Sequence, residues 1–193
     1  MTPAWLLKPR YLPVEPPLRG EPGKRSRGVL LSVVAQFNLE TAERYRPVHR
    51  LLSNGELASD SFCNVFLWDV TKALGCEVPH WVDRVTGRPA GVGAQGAVEY
   101  RANDVVGWLE AHGREYGWQL CTRGEASAAA ERGEVAIVVW RNPNPEKPGH
   151  VALVVPAVSP GAVFIAQAGA HNFTSEPLER GFGDLPPTFY RHA

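Results

Sequence analysis

Between Asp60 and Gly75 the apolar residues follow a helical period. Cys63, Leu67, Val70 and Leu74 stand at i, i+4, i+7 and i+11 and share one face. Phe62, Phe66 and Ala73 widen that stripe, which predicts a helix buried on much of its circumference. Asp60 and Ser61 are its expected caps, Gly75 its stop, and Cys63 falls in its first turn. Upstream, V-L-L-S-V-V-A-Q-F from Val29 suits either a strand or a first buried helix; periodicity does not separate them, and a helix through Val34 to Phe37 is preferred. Two short helices follow, one capped by Asn103 and ending at Gly113, the other between Gly124 and Gly133. The last third changes character. Glu134 to Trp140, His150 to Val155 and Ala162 to Ala168 are β-rich runs, separated by R-N-P-N-P-E-K-P-G and P-A-V-S-P-G. Such short connections imply an antiparallel meander. Helices first and then a sheet predict an α+β domain.

Two stretches lack any period. Residues 1–28 are rich in Pro and Arg and read as an extension, draped or mobile, ahead of one domain over residues 29–193. Residues 84–102 are rich in glycine and read as a long surface loop. The length of 193 residues fits one domain, and a 44% hydrophobic content supplies a core. Twenty basic residues balance twenty acidic ones, so little would be gained from a phosphate backbone and no nucleic-acid partner is expected. No apolar run approaches the ~20 residues of a membrane span. Prolines interrupt the first twenty residues, which do not resemble a secretory signal. The chain is therefore expected to be made in the cytoplasm, with any export by another route such as effector secretion or phage lysis. Cys63, Cys76 and Cys121 are too few and odd for a disulfide framework. Oligomeric state is not legible in the sequence.

The pairing of Cys63 with His150 carries the candidate chemistry. A helix N-terminus presents unpaired N–H groups and a partial positive charge, both of which stabilise a thiolate. A histidine opening a strand has a rigid mount, and as imidazolium it lowers the thiol pKa further. Each residue alone is more readily explained as a packed core residue; their joint placement is what suggests a nucleophile and its base.

The stretch S-F-C-N-V-F-L-W-D-V-T-K-A-L-G resembles the cysteine-bearing helix of NlpC-like and CHAP-type papain-fold cysteine hydrolases, and G-H-V-A-L-V-V resembles their histidine strand. The resemblance covers roughly Ser61 to Asn172. It implies a papain-like fold with the nucleophile at a helix N-terminus packed on an antiparallel sheet. It also implies a polar orienting residue on the strand after the histidine. Members of these families use Glu, Asp, Asn or a second His there; this chain offers Gln167, with His171 and Asn172 beyond it. Gln167 lies 17 residues past His150, a spacing that suits an antiparallel neighbour, and its amide can hold the imidazole tautomer.

Other polar positions stay open. Asn64 either donates to an oxyanion or packs in the first turn. Trp81, beside the glycine-rich loop, either belongs to the core or lines a substrate groove, and Asn172 is a further substrate-binding candidate. Asp69 either satisfies a buried group or faces solvent. Cys76, His80 and Cys121 lack the paired spacing of a zinc site, so neither a metal nor another cofactor is expected. The resemblance implies amide hydrolysis through a Cys63 acyl-enzyme, with peptidoglycan or a peptide as substrate and partner. The alternatives are an acyltransferase or deamidase on the same scaffold, or a binding module in which Cys63 and His150 merely pack.

Overall fold

The computed structural model describes residues 9–51, 53–159 and 161–193. Five α-helices lie among them: α1 (Arg27–Ala35), α2 (Cys63–Ala73), α3 (Ala102–Ala111), α4 (Arg123–Arg132) and α5 (Leu178–Phe182). The strands are β1 (Val48–Leu51), β2 (Leu57–Asp60), β3 (Trp81–Asp83), β4 (Ala97–Glu99), β5 (Gln119–Cys121), β6 (Val135–Trp140), β7 (His150–Val155), β8 (Phe164–Ala168), β9 (Asn172–Pro177) and β10 (Thr188–His192). The chain is a mixed α+β structure. Six strands form the main antiparallel sheet in the order β5-β10-β6-β7-β8-β9, while β1–β2 and β3–β4 are separate hairpins.

The expected meander is the centre of this sheet. β6 pairs with β7 and β7 with β8, each antiparallel. Residues Val135 to Val139 and Val151 to Val155 are wholly buried, so both faces of these strands are covered. Their sequences accordingly run apolar without alternation. α2 lies against β7 and β8, α4 against β6, β7 and β10, and α3 against β6 and β7. α1 packs on α2 and α4, which settles Val29 to Phe37 as mostly helix.

Several expectations need correction. Asp60 and Ser61 do not cap α2. Asp60 ends β2 and its carboxylate accepts from Arg50 at 2.9 Å; the capping position is Phe62, whose side chain offers no acceptor. Gly75 does follow the helix end, at φ +69°, a conformation that glycine adopts without strain. Asn103 lies inside the first turn of α3, while Asp104 reaches back to the Arg101 N–H at 2.9 Å. Residues 84–102 are not all loop, because β4 pairs with β3 and α3 already starts at Ala102. Strands β1 to β5, β9 and β10 were not expected.

The described part of the N-terminal extension lies on the body. The Gly20 N–H donates to the Ala73 carbonyl at 2.9 Å, and Leu18 exchanges two hydrogen bonds with the Gln36 amide. Arg25 donates to the Ala193 carbonyl at 2.7 Å. Residues 1–8 lie outside the described set. No helix among the described residues is long and apolar enough to cross a membrane.

Candidate active site

Cys63 is the first residue of α2, and His150 opens β7 against it. Strand register explains how Gln167 joins them. Leu153 faces Ala166 across β7–β8, and one step further along the same register Gln167 falls opposite Ala152. Residues 150 and 152 share a face, so Gln167 and His150 are diagonal neighbours on one side of the sheet. His150 Nε2 donates to Gln167 Oε1 at 2.6 Å. The Gln167 amide orientation is fixed independently, because its Nε2 donates at 3.1 Å to the His171 carbonyl, which can only accept. The proton on His150 Nε2 follows from that geometry. Nδ1 is the remaining ring nitrogen, and the imidazole is near enough to the Cys63 thiol for each to shift the pKa of the other.

The electrostatics of the three cysteines differ. Burial pushes the Cys63 thiol up, but the His150 imidazole and the backbone N–H groups of Val151 and Asn64 outweigh it. The net effect holds Cys63 below the ordinary thiol range. Burial pushes Cys76 up to about 12 despite Arg25 beside it, and burial with the Glu125 charge pushes Cys121 up to about 11. His150 is shifted the other way from a buried histidine. Burial lowers its pKa, while the Cys63 thiolate and the Gln167 carbonyl raise it further, and the balance is upward. Of the three cysteines, Cys63 alone is shifted towards the thiolate, and the imidazole beside it is shifted towards the protonated form.

The surroundings constrain this chain of three residues. The Phe182 ring covers His150 with centroids 4.7 Å apart. Gly169 and Gly181 flank the Gln167 amide: a Cβ at Gly181 would sit 2.3 Å from Oε1, and one at Gly169 would sit 2.8 Å from Nε2. Asn103 holds the loop before His150, accepting from the Asn142 N–H at 3.0 Å and donating to the Lys147 carbonyl at 3.0 Å. Sequence reasoning missed Phe182 and both glycines, which carry no local motif, and it read Asn103 only as a cap.

Cys63 opens on a cavity of about 670 Å³. Tyr11, the β1–β2 hairpin, Glu99, the first turn of α3 and residues 145–149 wall it. Cationic Arg50, Arg101 and Lys147 are interspersed there with anionic Asp60, Glu99, Asp104 and Glu146. Asn64 lines this cavity, but its amide nitrogen is held by the Tyr100 carbonyl at 2.8 Å and lies 3.3 Å from His80 Nδ1. Its side chain therefore packs the first turn, and the Asn64 residue serves Cys63 through its backbone N–H.

The other candidates lie elsewhere. Trp81 is buried against Trp68, and its indole N–H donates to the Tyr11 carbonyl at 3.2 Å. Asn172 donates to the Leu39 and Tyr45 carbonyls at 3.0 and 2.9 Å, tying β9 to the segment after α1. His171 is exposed and contributes its carbonyl to Gln167. Asp69 is 2% exposed and satisfies a buried network, paired with Arg44 at 2.6 Å and accepting from Tyr45 Oη at 2.7 Å. Cys76 meets Arg25, while His80 is stacked on Trp68 at 5.2 Å. Among the described residues no group of three or more His, Cys, Asp or Glu is placed to hold a metal ion.

No protein-family model matches the chain, and no curated protein matches it.

Proposed function

We propose that the chain is a cysteine-dependent amide hydrolase of papain-like fold, acting on bacterial peptidoglycan at a stem-peptide or sugar–peptide amide bond. The observation that carries the reading is the alignment of Cys63, His150 and Gln167: α2 presents Cys63 against β7, where the His150 imidazole lowers the thiol pKa, and His150 in turn is hydrogen-bonded to Gln167. The Cys63 thiolate attacks the substrate carbonyl, and N–H groups at the start of α2 hold the developing oxyanion. His150 gives its proton to the leaving amine, which departs as the acyl-enzyme forms. The neutral imidazole then takes a proton from water, whose oxygen attacks the thioester and restores the thiolate. Gln167 keeps the imidazole in the tautomer and plane this requires. The substrate class rests on the resemblance to NlpC-like and CHAP-type hydrolases. The mixed-charge cavity supports it, because it offers partners to a peptide carrying both carboxylate and amine groups.

Digestion of purified sacculi, with the released fragments identified by mass spectrometry, tests the proposal. The unsubstituted protein should release fragments with new amine and carboxyl termini, and Cys63→Ala should release none. Equal fragment release by Cys63→Ala would overturn the nucleophile, and intact sacculi would overturn the substrate.

A further inference from the structure

Residues 9–12 form a strap that brings Tyr11 to the wall of the Cys63 cavity, and one arginine holds both ends of it. Arg44 donates to the Pro9 carbonyl at 2.5 Å and to the Leu12 carbonyl at 2.9 Å. The same guanidinium grips Asp69 at 2.6 and 2.9 Å, and Asp69 stands on α2, the helix that presents Cys63. Trp81 adds a third tie through the Tyr11 carbonyl. A fourth comes from Arg10, whose guanidinium lies 3.9 Å over the ring of Phe62, the residue before Cys63. A three-residue turn with no buried residue of its own would fray without such ties. Held in place, it projects one aromatic side chain: the Tyr11 ring lies parallel to His80, with centroids 6.2 Å apart, and lines the same cavity as Cys63.

The geometry points to the strap as a selectivity wall, in which Tyr11 sets the width of the path that a substrate takes to Cys63. A slender peptide backbone passes Tyr11 and a bulky substituent beside the scissile bond is turned away. Arg44 and Asp69 are positioning residues for this wall, since they hold the strap without lining the cavity themselves. The inference deepens the hydrolase reading and rests on Cys63 being the reacting thiol.

Two reagents with the same electrophile and different bulk test it: iodoacetamide and 5-iodoacetamidofluorescein. The rate at which each modifies the Cys63 peptide is followed by mass spectrometry at pH 6. Taking the ratio of the two rates cancels any change in the thiol itself. Tyr11→Ala should raise the ratio of bulky to small reagent about fivefold or more, and Tyr11→Trp should lower it. Opposite responses cannot come from loss of folding, which would raise the ratio in both variants. A ratio unchanged across the three proteins, or moved in the same direction by both substitutions, would overturn the wall. A slow reaction with iodoacetamide in the unsubstituted protein, no faster than a free thiol, would instead sink the hydrolase reading; the ratio would still report on Tyr11.

Discussion

A neutral amide orients His150, and this choice shapes the expected pH response. Activity that needs thiolate and imidazolium together rises with pH through the Cys63 pKa, which is held below the reference 9.0, and falls through the His150 pKa, held above 6.5. The expected pH–rate profile is a bell. Gln167→Ala removes one of the contacts that raise His150, so its descending limb should move to lower pH. The rate at the optimum should fall by roughly 10- to 1,000-fold, about 1.4–4 kcal/mol in the barrier. Asn172→Ala should cost less than about tenfold, because that side chain bonds to backbone carbonyls away from the imidazole. A Gln167→Ala profile with its alkaline limb unmoved would remove Gln167 from contact with the base. The sequence marked Cys63 and His150 through the joint placement of a helix start and a strand start, and Gln167 through the family resemblance and its spacing from His150; the structure sets Gln167 against His150. Phe182 and Gly181 were not legible, because what they serve lies in another part of the sequence.

At the scale of elements, α5 sits against β8 closely enough that Gly181 leaves no room for a methyl group. A Cβ there would lie 2.3 Å from Gln167 Oε1 and 2.8 Å from Ile165 Cδ1. Gly181→Ala should therefore lower kcat tenfold or more, in steady-state assays, by displacing the orienting amide. Gly124→Ala, where a Cβ meets nothing within 4 Å, should leave kcat unchanged and stabilise α4 by up to ~1 kcal/mol. Arg44→Met tests the anchoring of α2. It leaves the Asp69 carboxylate buried without its cation, and urea unfolding should show a loss of about 3–5 kcal/mol. A loss under about 1 kcal/mol would mean that the pair behaves as a surface salt bridge. The helical period of α2 was plain in the sequence, but its capping was misread. Asp60 and Ser61 are good caps in isolation; a hairpin pairing with β1 drew Asp60 into a strand instead.

The whole sheet depends on a strand that arrives late. β10 lies between β5 and β6, paired on both sides, although residues 141–187 separate it from β6. Removing residues 188–193 would leave two strand edges unpaired beside a buried core, and the expected outcome is loss of the cooperative thermal transition with aggregation. A soluble truncated protein with an unchanged circular dichroism spectrum would show that β10 is dispensable. The α+β class and the β6–β8 meander were legible because their signals are local runs and turns. The place of β10 was not, since nothing near Thr188–His192 marks its partners.

The same insertion has a kinetic consequence. As the chain is made, β6, β7 and β8 can zip into a meander and bring His150 beside Gln167 well before β10 exists. Until β10 slots in, the β6 edge stays open to any other extended strand, its own copies included. Closing the β6–β10 pairing requires a long loop to be ordered first, so refolding should be slow for a protein of this size and its yield should fall as concentration rises. The contact between His150 and Gln167 can thus form early, while the β6 edge behind it is covered only once β10 pairs.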